Sequence, residues 1–155
     1  MNKLVLLLFI LILTACSTQV VSTQGLSTQD IEGVWYRIKL SDMPYPVDCV
    51  FSWEERILPR FYDMIIDLTG ERPMMGFGGL TTNNTITDIN IKGNIVELTF
   101  YFWMGDFHAT LVFHFNEDGT MWAEELRSPD PSFQPLGRDR IGRDRIYHRI
   151  VGPEF

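Results

Sequence analysis

The chain has no apolar run long enough to cross a bilayer; its longest, residues 4–13, has ten of the 155 residues. Basic residues are also scarce, 13 Lys and Arg against 20 Asp and Glu, giving a net charge of −7. Such a chain is poorly suited to neutralising phosphates, which argues against nucleic acid as a partner and against adhesion to anionic headgroups. Neither Gly-x-Ser-x-Gly, His-Glu-x-x-His nor Cys-x-x-Cys occurs. Gly76-Phe77-Gly78-Gly79 lacks the lysine and following helix of a phosphate loop and reads as a kinked strand. The adjacent carboxylates Glu54-Glu55 and Glu124-Glu125 would point to opposite faces of a strand, so neither pair makes a hydrolase site. His108 and His114 would lie roughly 20 Å apart along one strand, out of reach of one metal. The expectation is a non-enzyme with no cofactor and no metal.

What is present begins at the amino terminus. Lys3 precedes the apolar run, and Leu13-Thr14-Ala15-Cys16 closes it. A positive charge, a short apolar stretch and small residues before a cut are the parts of a signal peptide. With cysteine first after the cut, Leu13-Thr14-Ala15-Cys16 resembles the lipobox of bacterial lipoproteins. The resemblance implies that residues 1–15 are removed, that the Cys16 thiol is diacylated and that the new amino terminus is acylated. Two or three acyl chains suffice for stable membrane anchoring. Cys49 then has no disulfide partner in the chain, and beside Val50 and Phe51 it is expected to be a buried small hydrophobe. The implied address is the bacterial cell envelope. Ser17 stands where aspartate would resemble an inner-membrane retention signal, which favours the outer membrane in a Gram-negative host.

Residues 16–29 repeat Ser-Thr-Gln at a five-residue period from Ser17, Ser22 and Ser27, which suits a flexible tether. Residues 30–155 are enough for one domain. Charge is uneven, with 6 basic and 16 acidic residues over 16–126 but 6 and 4 over 127–155. In the second stretch Gly137-Arg138-Asp139-Arg140-Ile141 is followed at once by a perfect copy, Gly142-Arg143-Asp144-Arg145-Ile146. A functional arginine array is one explanation. The duller and preferred one is a tolerated duplication whose Arg and Asp pair with each other.

Ser27 or Thr28 is expected to cap a short helical turn over 30–32. Strands are expected over 33–40, 48–58, 61–68, 74–80, 85–91, 94–104, 107–115, 120–126 and 144–151. Eight or nine short strands with polar turns indicate an all-β barrel or sandwich. Gly105-Asp106 suits a two-residue hairpin, which pairs Phe102 with Ala109, Phe100 with Leu111, Leu98 with Phe113 and Glu97 with His114. In that register Glu97 and His114 form a cross-strand ion pair. Asn116-Glu117-Asp118-Gly119 has the chemistry of a type I turn closed by a glycine bulge.

Gly33-Val34-Trp35, opening the first strand after the helical turn, resembles the Gly-x-Trp signature of lipocalins and the wider calycin group. Residues 115–120, Phe-Asn-Glu-Asp-Gly-Thr, and the later Tyr147-His148-Arg149 are similar to small bacterial lipocalin-like domains. The resemblance covers residues 27–151. It implies a single antiparallel up-and-down barrel of about eight strands, with Trp35 across the closed end. It also implies a basic side chain from the last strand stacked on that ring, for which Arg145 and Arg149 are the candidates.

An eight-stranded barrel either fills with side chains or holds one small ligand. Phe100, Phe102, Leu111, Phe113 and Phe115 are expected to point inward, with Glu125 turned in near the mouth by alternation with Ala123 to orient a ligand. The leading expectation is non-catalytic binding of a small hydrophobic or amphipathic ligand at the envelope. The alternative is a solid barrel acting as a protein-binding module. It would work through loops such as Met43-Pro44-Tyr45-Pro46, its acidic surface suiting a basic partner. An enclosed apolar void above roughly 300 Å³ divides the two.

Overall fold

The structure, a computed structural model, describes residues 25–42, 55, 62–78, 84–136 and 140–152. Of the expected strand over 48–58 residue 55 alone is described, in a turn; Cys16, Cys49 and the loop 43–46 lie outside the described residues. A short helix, α1 (Thr28–Ile31), precedes eight strands: β1 (Gly33–Tyr36), β2 (Met64–Asp67), β3 (Met74–Phe77), β4 (Asn84–Lys92), β5 (Ile95–Phe102), β6 (Phe107–Phe115), β7 (Met121–Arg127) and β8 (Ile146–Val151). Each strand pairs with its neighbour in sequence and β8 returns to β1, closing an antiparallel up-and-down barrel. Closure removes every sheet edge. The chain does not continue as a strand to residue 40; it leaves β1 after Tyr36 and forms a 3₁₀ turn at Leu40–Asp42.

Alternation sets the two faces. On β5, Val96, Leu98 and Phe100 are buried, and on β6 so are Ala109, Leu111, Phe113 and Phe115. With Trp35, Met64, Ile66, Met75, Phe77, Met121, Ala123 and Tyr147 they form one core. Burying each large apolar side chain contributes about 2 kcal/mol. Among the described residues all the strands, and the core from Leu26 to Tyr147, lie within residues 26–151, so this segment closes the barrel around a continuous core. A smaller cluster, Val34, Ile150 and Val151 with Tyr36, Tyr62 and Ile65, sits on the outer wall where β1, β2 and β8 meet.

The turns explain the register. Lys92 pairs with Ile95, and Gly93 takes a positive φ of 64° as the first residue of a two-residue turn. At residues 116–119 the Gly119 amide donates to the Asn116 carbonyl at 3.1 Å, and Gly119 has φ 77°, as a type I turn with a glycine bulge requires. The β5–β6 turn differs from expectation. Phe102 pairs with Phe107, leaving four residues in the turn, and Asp106 takes the left-handed conformation at φ 54°. Packing drives this: Phe102 and Phe107 meet across the last pair with ring centroids 5.4 Å apart, and the Tyr101 hydroxyl donates to Asp106 at 2.6 Å. Phe100 therefore lies opposite Ala109 and Leu98 opposite Leu111. The pairing slips by two residues, which changes partners and preserves faces.

The barrel has unlike ends. Short connections, 68–73, 93–94 and 116–120, lie with α1 at one end; the longer ones, 37–63, 78–83 and 128–145, lie with turn 103–106 at the other. α1 is capped by Ser27, whose amide and hydroxyl both donate to the Asp30 carboxylate, at 2.7 and 2.6 Å. Its Ile31 is fully buried, and Leu26 ahead of it packs on the core. This is the closed end.

Candidate functional site at the loop-bearing end

Trp35, fully buried, donates from Nε1 to the Ile31 carbonyl at 3.0 Å and meets Phe115 edge-on at 5.6 Å. Arg149 from β8 lies over the ring, its guanidinium carbon 5.7 Å from the centroid. The same guanidinium donates to the Gln29 carbonyl at 2.6 Å and to the Glu32 carbonyl at 3.2 Å, tying β8 to α1. Burial lowers its pKa from the ordinary arginine value. Gly33 has φ 146°, and a Cβ there would lie 2.5 Å from the Val151 carbonyl oxygen, so only glycine lets β1 pass β8 this closely. Gly33, Trp35 and Arg149 thus form one group at the closed end. Arg145 is elsewhere: it precedes β8, exposed, at the opposite end.

Phe100, Leu111 and Phe113 are fully buried and Phe115 nearly so. A void able to hold a ligand would leave the side chains around it accessible to a water-sized sphere, and these three have no accessible surface. They fill the barrel where a ligand would sit. Phe102 lies nearer the loops, half-buried, and is covered by Phe133 from the β7–β8 connection. Phe133 packs on Phe102 at 4.4 Å with the rings tilted by 40°, meets Phe107 edge-on at 5.2 Å and reaches Phe100 at 6.2 Å. This aromatic plug covers the β5–β6 side of the interior from the loop end.

Glu125 does not point inward. The β6–β7 pairing shifts between Val112 and Phe113, so Phe113 pairs with Ala123 but Val112 pairs with Glu125. The bulge takes up one residue and turns Glu125 to the outer wall. There Arg127 bonds both Glu125 and Glu97, the latter at 2.9 Å. Arg127, then Asn90, holds the Glu97 carboxyl below its usual pKa. Nor do Glu97 and His114 pair. His114 bonds Glu124 at 2.6 Å and stacks flat on Trp122 at 4.2 Å, with Arg143 over the other ring at 5.4 Å. Among the described residues no three His, Cys, Asp or Glu side chains converge as metal ligands.

The loop-bearing end carries an open polar cavity of about 360 Å³, lined by Tyr36 at the end of β1 and Arg37 and Ile38 after it, Asp63 before β2, Arg140, Asp144 and Arg145 before β8, and Ile146 at its start. Its organising group is Asp63, whose side chain is only 8 % exposed. Arg140 donates to Asp63 Oδ1 at 2.6 Å, the Arg37 amide donates to Oδ2 at 3.0 Å, and the Arg37 guanidinium is 3.6 Å away. A carboxylate this buried requires such cationic partners. Sequence reasoning missed Asp63, which lies 77 residues from Arg140. It also missed Phe133, whose only sequence signal is an aromatic between Pro131 and Pro135 in an otherwise polar loop. Comparison of the chain with protein-family models, curated proteins and solved structures gives no match in any of the three.

Proposed function

We propose that this chain is a lipid-anchored, non-catalytic lipoprotein of the bacterial cell envelope whose lipocalin-like barrel is a solid recognition module working through its loop-bearing end. The filled interior carries this reading: Phe100, Leu111 and Phe113 leave no space beside them, and Phe133 stops the entrance. Carriage of a hydrophobic ligand would require that layer to open. The loop end, by contrast, presents an accessible polar cavity, and the turn 103–106 at the same end exposes Trp103 and Met104. The chain's excess of acidic residues suits a basic protein partner. Attachment rests on the Leu13-Thr14-Ala15-Cys16 pattern; among the described residues no helix is long and apolar enough to cross a membrane.

The test is native mass spectrometry on residues 25–155, purified without detergent and then challenged with a panel of fatty acids and lipids. The bare polypeptide mass is expected throughout. An apolar adduct released on denaturation would return the assignment to ligand carriage. The anchor is tested separately by Cys16→Ala in the full chain, which should lose palmitate label and leave the membrane fraction. Label and membrane retention in that variant would overturn the anchoring assignment.

A further inference from the structure

The tandem copies 137–141 and 142–146 place the same residue of the repeat, Arg140 and Arg145, in the lining of one cavity. Their roles differ. Arg140 is spent on buried Asp63, which fixes its guanidinium at the cavity wall. Arg145 is 45 % exposed, and among the described residues its one ion-pair neighbour is exposed Asp144, at 3.7 Å. The backbone holds the second copy in place: the Gly142 amide donates to the Ala123 carbonyl of β7 at 2.8 Å, and the Arg145 amide donates to the Gly142 carbonyl at 3.0 Å. Arg37 enters from the β1 side, held to Asp63 through its amide. Among the described lining residues, then, three guanidinium groups share the cavity with two carboxylates. That excess of one guanidinium among the described lining residues runs against the chain's net charge of −7.

We propose that this cavity binds an oxyanion, a carboxylate or phosphate group of a small ligand or of a partner's side chain, with Arg145 as the principal contact. Arg140 and Arg37 form the wall, and Asp63 positions them. The guanidinium fork matches the planar or tetrahedral oxygens of such groups with paired hydrogen bonds, which an ammonium cannot do. The inference goes beyond the proposed function and does not need a filled barrel. An apolar adduct in the mass spectra would overturn the solid-module reading and leave the cavity's chemistry untouched.

The test is an NMR titration of ¹⁵N-labelled residues 25–155 with inorganic phosphate and, separately, with succinate, at constant ionic strength. Saturable shifts are expected at the amides of residues 36–38, 63 and 140–146. Response to phosphate alone, to succinate alone or to both supports the site and names the oxyanion class. Arg145→Gln should weaken binding roughly fivefold or more, the loss of about one charge-assisted hydrogen bond. Arg127→Gln, on the outer wall, should leave it unchanged. Absence of a saturable response to either probe, or equal weakening by the two variants, overturns the proposal.

Discussion

At the closed end Gly33, Trp35 and Arg149 meet through backbone as much as through side chains, whereas at the loop end Phe133 and Arg140 reach in from one long connection. The Trp35 indole and the Arg149 guanidinium both bond carbonyls of the α1 region, and Gly33 lies against the Val151 carbonyl. Little there can change without moving a strand. The plug and cavity instead draw Phe133, Arg140, Asp144 and Arg145 from residues 128–145, a connection that lies outside the strands. The β7–β8 seam beside them has only two residue pairs, Met121 with Tyr147 and Trp122 with Ile146, against eight between β5 and β6. One end is built to hold the barrel shut. The other leaves room for sequence to vary, which is where recognition is best placed.

If that contrast is right, the largest loss of stability belongs to the closed end. Gly33→Ala should cost more than about 3 kcal/mol, because a Cβ meets a carbonyl oxygen and the φ of 146° is strained for alanine. Equilibrium urea unfolding of residues 25–155 measures it, and a loss near zero would mean that β1 and β8 can part easily. At the loop end Phe133→Ala should cost less, about 2 kcal/mol, since the ring is only half-buried. It should do something Gly33→Ala cannot, which is to uncover Phe100 and Phe102 and let the barrel take up an apolar dye. No gain in dye binding would show that the interior is closed without the plug.

The same contrast explains what was legible in the sequence. Strand order and inward faces could be read because alternation has a period of two. The two-residue slip at β5–β6 therefore kept Phe100, Leu111 and Phe113 inside while changing every partner. Glu125 was misplaced because a bulge shifts alternation by one, and nothing in Ala123-Glu124-Glu125 announces a bulge. Expected pairing within the Arg-Asp tandem gave way at Arg140 to Asp63, a long-range contact that spacing does not encode. Arg143 instead lies over the Trp122 ring, and among the described tandem residues Arg145 lies near its own Asp144. Local chemistry showed the closed end; the loop-end site had to wait for the strands to bring β1, β2 and β8 together.

The smallest expected effect is one of pH, and it also separates the ends. His148 of β8 sits opposite Tyr36, the last residue of β1, on the loop side of the seam. Burial, and then Lys39, lowers its pKa below the ordinary 6.5, against the pull of Asp118 and Asp42. The unfolded chain thus takes up this proton before the folded barrel does. The stabilising contribution is complete above about pH 6.5 and is lost as the pH falls from there through the folded value. Asp30 at the closed end also has a lowered pKa, through hydrogen bonds from Ser27 and then its desolvation-opposing neighbour Arg149, but from an ordinary value of 3.8. Its contribution stays whole until the pH drops below that carboxylate range. Between pH 8 and pH 5 His148 should therefore contribute a decline in stability and Asp30 none, so His148→Gln should flatten the decline while Asp30→Asn leaves it in place. An unchanged slope in His148→Gln would assign the acid sensitivity to another group and remove this distinction between the two ends.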